Sequence, residues 1–320
     1  MNVKHEDRSL AYQIITYIFI FLFLIFFIYV GFTRILFSRI MLDTARETVS
    51  HVTNETVNKV DSALEKIQTL AESVMELKSL DVLTESELEA YLLDIIYEFP
   101  QLNSVCLAYD PSDTEIPNAK TLFFAHNQQV TNLSPNLDYK YSDWFQIPYQ
   151  TQHKYWTEPW FDDNGPDKML ISYCLPIFKS GKVQGVMRFD TELSYLQNMV
   201  SPLKIKKYGY AFLISHSGTI ITHPADSLVM NQTIFSLAEE YHDDNLRIVG
   251  RSMLNNGVGF KHIKGKSPFK NMWLYYSPLQ ANSWSLGVVI AHADVINELN
   301  LLLIIQTALS ILLFFTRSEE

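Results

Sequence analysis

Two long apolar stretches lie near the ends of the chain, and the first of them predicts a membrane-spanning helix. No charged residue occurs from Ser9 to Thr33. About 20 apolar residues in a helix cross the hydrocarbon core of a bilayer, so we predict a transmembrane helix at 12–33 after an N-terminal cytoplasmic segment of 1–11. A cleaved signal peptide would have a shorter apolar region and a cleavage site of small residues. Arg34 follows instead, which favours a retained anchor.

The second apolar stretch covers 299–316 and lies between Glu298 and Arg317. Its length is close to the lower limit for a span, and its few polar residues reduce the free energy gained on insertion without preventing it. The pattern predicts a second transmembrane helix at 299–316 and a cytoplasmic tail at 317–320, with a buried or interfacial helix as the alternative. The basic residues on the two sides of the first span are too evenly divided to fix the orientation.

The segment between the two stretches begins with a pattern typical of a long helix. Residues 42–80 contain no Gly or Pro, and their apolar side chains recur at steps of three and four residues, which places one apolar stripe along a helix. We predict that this helix emerges from the membrane over 34–80. A second helix is predicted to start at Thr84, because Thr84 and Glu87 form a capping-box pattern, and to stop before Pro100.

After Pro100 the pattern changes to short apolar or alternating runs separated by Asp, Asn, Gly and Pro, which is typical of strands joined by turns. The runs form two successive sets: SVCLAYD, KTLFFAH, MLISYCLPIF and VQGVMRFD, then GYAFLISHSG, TIITHP, KHIKG, MWLYYSPL and WSLGVVIA. Helix-like stretches occur at TELSYLQNMV and IFSLAEEYHD. The order of helices followed by strands predicts an α+β fold with two strand-rich units in tandem, at 81–200 and 201–296.

Charge and composition exclude several classes of function. The formal net charge is -10 and no cluster of Lys and Arg occurs, so nucleic acid is not expected as a partner. Cys106 and Cys174 both lie in predicted strands, and we expect buried thiols, with a disulfide or redox pair as the alternative. No metal-ligand spacing, phosphate loop or nucleophile elbow is present. We therefore expect no metal, no cofactor and no enzymatic activity in this chain.

Several runs of residues resemble a double Cache (dCache) sensor domain. WTEPWFD from Trp156, SYCLPIF from Ser172 and GVMRFD from Gly185 resemble the membrane-distal half of such a domain. Three further runs resemble the membrane-proximal half: GYAFLISHSGTIITHP and the two runs that start at Trp273 and Trp284. The resemblance covers residues 40–295. It implies two PAS-like antiparallel-sheet modules on a long N-terminal helix, flanked by the two transmembrane helices.

The resemblance also implies a place in the cell and a mode of action. It implies a receptor of the bacterial inner membrane, multi-pass, with the segment 34–298 extracytoplasmic. Family members pass a signal through the second span to a cytoplasmic output, and here the chain stops four residues after that span. We therefore expect a separate cytoplasmic signalling protein, with an anchored binding or scaffold protein or a truncated receptor remnant as the alternative. The apolar stripe is compatible with the homodimer that we expect, and also with packing on the protein's own sheets.

The resemblance places a candidate ligand pocket in the distal module, at Trp144, Phe145, Trp156, Tyr173 and Asp190. Aromatic walls with one carboxylate suit a small amine-bearing or cationic molecule, through cation–π attraction and a charge-assisted hydrogen bond. The alternative is that the aromatic residues are core and that Asp190 caps the following helix. Family members that bind amino acids carry an Arg two residues before the first Trp. Ser142 stands there, so an ordinary amino acid is not expected unless Lys140 or another cation takes the place of that arginine.

Overall fold

The computed structural model describes residues 3–80, 82–110, 121–125, 130–133, 138–161, 168–203, 205, 207–265, 271–295, 301 and 304–308. The chain divides into two compact units. The larger is Ser50–Ile290, and the other combines Met1–Val49 with Ala291–Glu320. The larger unit carries the two sheets and the candidate site.

Helix α1 extends over Val3–Ser79 and includes the first predicted span. Within the described residues, it is the one helix long and apolar enough to cross a membrane, from Ile20 onward. Its surface there is unusually apolar, with exposed side chains at Ile20, Phe21, Leu22, Phe23, Leu24, Ile25, Phe27 and Ile28. A continuous exposed apolar surface of this kind is compatible with a lipid environment. Of the second predicted span, 301 and 304–308 are helical, and the rest of 299–316 lies outside the described residues.

The distal module begins with helix α2 (Glu85–Glu98), and the predicted capping box is confirmed. The Glu87 N–H donates to the Thr84 hydroxyl oxygen, and the Thr84 N–H donates to the Glu87 carboxylate. Seven strands form its sheet: β1 (Leu102–Tyr109), β2 (Thr121–Ala125), β3 (Val130–Leu133), β4 (Tyr155–Trp156), β5 (Trp160–Phe161), β6 (Met169–Lys179) and β7 (Lys182–Glu192). They lie in the order β3-β2-β1-β7-β6-β4, with β5 also paired to β6.

Two further helices belong to the distal module. Helix α3 (Asp143–Thr151) packs against β6 and β7, and helix α4 (Leu193–Val200) follows β7 directly. Strands β6 and β7 are buried along most of their length. Because successive side chains of a strand point to opposite faces, such strands are covered on both sides of the sheet. One face of the central strands meets α3, and the other carries Tyr173, which bonds to α1.

The proximal module has five strands and two helices: β8 (Tyr210–Ile214), β9 (Ile220–Thr222), α5 (Ile234–Glu240), α6 (Asp244–Leu254), β10 (Gly259–Lys264), β11 (Asn271–Pro278) and β12 (Ser285–Ala291). The strand order is β10-β11-β12-β8-β9. Helices α5 and α6 contribute Ile234, Leu246 and Val249 to one core cluster. Each of the five strands also contributes to this cluster, and the residue from β12 is Val289. The predicted α+β fold, with a long N-terminal helix and two antiparallel sheets, is confirmed.

Within the larger unit, α1 contacts both modules through its stripe of apolar residues and through a few polar side chains. Val60, Leu64, Ile67, Ala71 and Val74 are buried along it. The Asp61 carboxylate accepts hydrogen bonds from the N–H groups of Gln280 (3.0 Å) and Ala281 (3.1 Å) in the turn between β11 and β12. The Gln68 side chain donates to the Ala281 carbonyl at 2.9 Å. Helix α1 is therefore fixed to the proximal module by bonds from two side chains, Asp61 and Gln68, that lie about two helical turns apart.

Candidate functional site

The candidate site lies on the face of the distal sheet that α3 covers, and strand register brings its polar residues together. Ser104 of β1 and Ser172 of β6 each lie directly opposite Asp190 of β7. Residues directly opposite one another in an antiparallel pair have their side chains on the same face. The two hydroxyl groups and the carboxylate therefore form one polar cluster between three central strands.

Asp190 is fully buried and its carboxylate is surrounded by donors. The Ser172 hydroxyl donates to Oδ1 at 2.6 Å, and the Ser104 hydroxyl donates to Oδ2 at 2.7 Å. Arg188 supplies its Nη2–H to Oδ2 at 3.0 Å, and its Nε lies 2.8 Å from Oδ1. The Nε–H itself makes no hydrogen bond, so Asp190 accepts three hydrogen bonds in all, of the about four that a carboxylate can take. Most of its acceptor capacity is therefore used inside the protein.

Arg188 is the centre of the site, and it is 6% exposed. Its guanidinium carbon lies 4.4 Å from the ring centre of Trp144 and 4.7 Å from that of Trp160, so the cation is held between two indoles. Burial lowers the pKa of Arg188, but the nearby Asp190 carboxylate more than offsets this, and the pKa lies above its ordinary value. Arg188 therefore stays charged inside the module, where burial without a partner would cost several kcal/mol.

The aromatic wall comes from α3 and the turn before it. Trp144 and Phe145 contact each other edge to face at 5.8 Å between ring centres, and Tyr149 stacks on Phe145 at 5.3 Å. Tyr139 contacts both Trp144 (6.0 Å) and Phe145 (5.3 Å). A second polar group borders this wall, because Asp110 accepts a hydrogen bond from Tyr149 at 2.9 Å. The wall holds Trp144 in the position where it covers Arg188.

Lys140 forms an ion pair with Asp110, the carboxylate that also accepts the hydrogen bond from Tyr149. Its ammonium lies 3.2 Å from Asp110 Oδ1. The cation that could have replaced the missing arginine at Ser142 is thus engaged at the edge of the aromatic wall, and the buried cation beside Asp190 is Arg188.

Two of the five predicted pocket residues, Trp156 and Tyr173, lie on the other face of the sheet. Tyr173 pairs with Phe189, one position out of phase with the pair of Ser172 and Asp190. Its hydroxyl donates to Glu72 of α1 at 2.9 Å. Trp156 lies opposite Tyr173 and packs on it at 5.1 Å between ring centres. Both residues therefore belong to the contact between the distal sheet and α1, apart from the cluster around Asp190.

The contact between Tyr173 and α1 includes a third charged group. Lys154 lies 2.5 Å from Glu72. The hydrogen bonds that Glu72 accepts from Lys154 and Tyr173 lower its pKa although burial acts in the opposite direction. Burial and the Glu72 carboxylate together raise the pKa of Tyr173, so its hydroxyl remains a donor. This arrangement connects the strand that carries Ser172 with the long helix.

Asp190 does not cap the following helix, which was the alternative interpretation of this residue. Helix α4 starts at Leu193, and its cap residue is Glu192, whose side chain makes no capping bond. The predicted attraction of an amine to Asp190 likewise loses its basis, because Arg188 already neutralises that carboxylate. Trp144, Phe145 and Asp190 remain together on one face, joined by Arg188 and Trp160.

Arg188 and Trp160 were missed in the sequence, although each carries a signal. Arg188 is a charged residue within the apolar run VMRFD of a predicted central strand, where a charge needs a partner. Trp160 lies in the quoted WTEPWFD run, and its indole N–H donates to the Ser172 hydroxyl oxygen at 2.9 Å. The partner of Arg188 is two residues away on the same strand, a spacing that places both side chains on one face.

The two cysteines flank Arg188 on the same face, since Cys106 and Cys174 each lie directly opposite it. Both are buried and free, so the expectation of buried thiols is confirmed. Burial raises the pKa of the Cys106 thiol to about 12, which keeps it protonated. Among the described residues, no group of three or more His, Cys, Asp or Glu side chains is placed to hold a metal ion.

The arrangement leaves binding capacity on Arg188. A guanidinium has five N–H donors, and Asp190 faces its Nε and Nη2. Within the described part of the chain, Nη1 has no hydrogen-bond partner. An anionic group placed beside it would form charge-assisted bonds with planar geometry, next to indole and phenyl surfaces that exclude water.

Known proteins share this architecture. A family model described as Cache domain (dCache_1) matches residues 37–299. Among curated proteins, the methyl-accepting chemotaxis protein McpC of Bacillus subtilis is 29% identical over 151 residues, which are 44% of this chain. The chain spans 22% of the length of that relative.

Two solved structures show the same fold at low sequence identity. The extracellular domain of mmHK1S-Z3, described as a histidine kinase, has a TM-score of 0.68 and 21% identity, over 80% of this chain and 97% of that one. The ligand-binding domain of the amino-acid chemoreceptor PctC of Pseudomonas aeruginosa PAO1, solved in complex with GABA, has a TM-score of 0.57 and 21% identity. It covers 76% of this chain and 98% of its own.

Proposed function

The chain belongs to the dCache_1 family of Cache domains, and from this we propose that it is a membrane-anchored sensor whose distal module binds a small carboxylate-bearing molecule through Arg188. The observation that carries the ligand class is the buried pair of Arg188 and Asp190 between Trp144 and Trp160. The carboxylate of this pair already accepts three hydrogen bonds, whereas the guanidinium has N–H groups left to donate.

A cationic ligand is disfavoured by the same pair. It would have to displace Arg188 from Asp190, and one of the two cations would then lie buried without a carboxylate. Removing one partner of a buried ion pair costs about 3–5 kcal/mol. A carboxylate ligand needs no such displacement, because it adds a second anion to the free side of the guanidinium. This argument replaces the amine-bearing ligand expected from the sequence.

The solved relatives are compatible with this ligand class. GABA, which is bound in the PctC structure, has a carboxylate at one end and an ammonium at the other. The ligand-binding domain of Mlp24 was solved with asparagine, and that of CtaA with L-serine. A carboxylate is common to these three molecules. A carboxylate is also the group that planar arginine donors recognise with two parallel bonds.

Three probes with the same number of carbon atoms test the proposal: butyrate carries only the carboxylate, butylamine only the ammonium, and GABA both. We expect butyrate and GABA to raise the melting temperature of the full chain in lipid nanodiscs, because a ligand of the native state stabilises it by mass action. Butylamine should leave the melting temperature unchanged. In Arg188→Lys the charge stays but the planar fork is lost, so we expect butyrate to bind about 10-fold more weakly.

Arg247→Lys is the matched control, because Arg247 is a partly exposed arginine of α6 that pairs with Glu239 at 3.1 Å. It should bind butyrate as the wild-type chain does. A melting temperature raised by butylamine and not by butyrate would contradict the role of Arg188 and restore a cationic ligand. If none of the three probes and no other small carboxylate binds, an anchored binding or scaffold protein without a small-molecule ligand becomes the better interpretation.

The proposal includes a topology and a route for the signal. Segment 34–298 is extracytoplasmic, the spans are 12–33 and 299–316, and the chain acts as a homodimer that passes its signal to a cytoplasmic output. Helix α1 supports this route, because it is continuous from the first span and bonds to the distal sheet through Glu72. A ligand that shifts β6 would act on that bond, and α1 would carry the shift to the membrane.

The turn between β11 and β12 gives a test of this route. We expect Asp61→Ala to lower the free energy of unfolding by about 1–2 kcal/mol, because the N–H groups of Gln280 and Ala281 lose a charged acceptor. Amide hydrogen exchange should also become faster in that turn when it is measured by mass spectrometry. Glu65→Ala removes an exposed carboxylate from the same helix and should change neither quantity. Equal effects of the two substitutions would show that Asp61 does not fix α1 to the turn.

A further inference from the structure

The proximal module contains a cavity of about 120 Å³ between its sheet and helices α5 and α6. Its walls are mostly apolar and come from both layers: Phe212, Ile220, Ile234, Leu237, Met272 and Val289. Protein interiors have few voids larger than a water molecule, and an unfilled apolar cavity lowers stability in proportion to its volume. A cavity of this size inside an otherwise well-packed core therefore indicates space for a second molecule.

Two polar groups on the cavity wall have capacity to bind. His223 accepts the Ala225 N–H at Nδ1 (2.9 Å), so a neutral ring carries its proton on Nε2 and offers that N–H as a donor. Burial lowers the pKa of His223 to about 4, and the ring is neutral at pH 7. Tyr210 packs on His223 at 5.0 Å between ring centres. Within the described residues, neither His223 Nε2 nor the Tyr210 hydroxyl has a hydrogen-bond partner.

The rim of the cavity explains how a molecule could enter. His223 and Tyr241 are half-buried, and Lys264 is exposed. The Lys264 ammonium donates to the His242 carbonyl oxygen at 2.9 Å on the outside of the module. Among the described residues that line the cavity, none is an Asp or a Glu. The interior thus has donors but no carboxylate that could neutralise a cationic ligand, and the Lys264 ammonium is directed outward to the His242 carbonyl oxygen.

We propose that the proximal module is a second binding site, which holds a small uncharged molecule with one hydrogen-bond acceptor, such as a cyclic ketone. An apolar cavity of about 150 Å³ is large enough to bind benzene, so the ligand has about six or seven non-hydrogen atoms. Its ring lies among Phe212, Ile220 and Val289, and its acceptor takes the Nε2–H of His223. The site is independent of Arg188 and of the carboxylate proposed for the distal module.

Three molecules that share a six-membered ring test the site: cyclohexanone is neutral with an acceptor, whereas cyclohexylamine and cyclohexanecarboxylate are ionised at pH 7. The full chain in lipid nanodiscs is titrated with each probe. Cyclohexanone should raise the melting temperature in a saturable way, and it should slow amide exchange in β8 and β12 as measured by mass spectrometry. The two ionised probes should bind at least about 10-fold more weakly, since a buried charge without a partner is costly.

Substitutions at Val289, His223 and Arg188 show in which module cyclohexanone binds. Val289→Phe fills the cavity and should abolish cyclohexanone binding, and Val289→Leu, which adds one methylene group, should weaken it several-fold. His223→Phe keeps a ring of similar size without the donor and should weaken it about 5-fold, the effect of one neutral hydrogen bond. Arg188→Lys should leave cyclohexanone binding unchanged, which separates this site from the distal one.

The proposal is overturned if cyclohexanone gives no saturable change, or if its binding is the same in wild type and in Val289→Leu. Circular dichroism shows whether each variant is folded. If Val289→Phe does not fold, Val289→Leu and His223→Phe still decide the result. Exchange protection confined to β1, β6 and β7 would assign the probe to the distal module and would equally contradict a proximal site.

Discussion

Replacing Arg188 with methionine is expected to lower the free energy of unfolding by about 3–5 kcal/mol, because it leaves the buried carboxylate of Asp190 without its cation. Methionine keeps much of the side-chain volume between Trp144 and Trp160, so the loss reports on charge more than on packing. The measurement is denaturant unfolding of the chain at pH 7, followed by tryptophan fluorescence. The two indoles on Arg188 make that signal sensitive to the site itself.

Two further variants isolate the ion pair. Arg188→Met combined with Asp190→Leu removes both charges and should regain most of the lost free energy, since apolar residues often replace a buried ion pair with little cost. Arg247→Met breaks the exposed pair with Glu239 and should cost at most about 1 kcal/mol. A loss below about 1 kcal/mol for Arg188→Met, with no recovery in the double variant, would show that the pair is solvated rather than buried.

The sequence does not show which of the predicted site residues share a face of the sheet. Residues of β6 are buried at nearly every position, so hydrophobicity does not alternate and the sequence does not reveal which side chains share a face. Tyr173 and Asp190 both matched pocket positions, yet their registers differ by one residue. A difference of one residue is enough to place two side chains on opposite sides of a sheet.

The contacts that decide the chemistry of the site are also hidden in the sequence. The sequence predicted that Asp190 is a carboxylate near aromatic residues, and in the structure it lies beside Arg188, which contacts Trp144 and Trp160. Its charge partner, Arg188, is two residues away in the chain, but the hydroxyl groups of Ser104 and Ser172 that donate to it come from two other strands. Only the pairing of three strands shows that the carboxylate accepts these bonds. The proposal of a carboxylate ligand in place of an amine rests on these contacts.

Local signals were more informative about the secondary structure than about the site. The capping box at Thr84 and the apolar stripe of α1 are encoded by residues a few positions apart, and both are present. Helix α6 was missed, although Leu246, Val249, Gly250 and Met253 are buried at helical spacing and the Asp243 side chain accepts the Asn245 N–H at its start. Gly250 within this run and the polar residues around it obscured a helix that tertiary packing stabilises.

The pH dependence of stability should reveal His223 in the proximal module. Its pKa is lowered to about 4 in the folded chain, chiefly by burial, from an ordinary value of 6.5. As the pH falls below 6.5, the unfolded chain takes up a proton that the folded chain resists, so stability decreases until the pH reaches about 4. We expect this histidine to account for a loss of about 2–3 kcal/mol over that interval.

The variant His223→Phe separates this contribution from all other titrations. Unfolding free energies of wild type and variant are measured from pH 7 to pH 4, and the wild-type value should fall by about 2–3 kcal/mol more than that of the variant. Parallel curves would show that His223 is protonated as readily in the folded chain as in the unfolded one. In that case the ring would not lie in an apolar environment, and the buried cavity assigned to the proximal site would lose its support. If the curves diverge as expected, the donor persists unchanged above about pH 5, and cyclohexanone binding should be constant from there to pH 8.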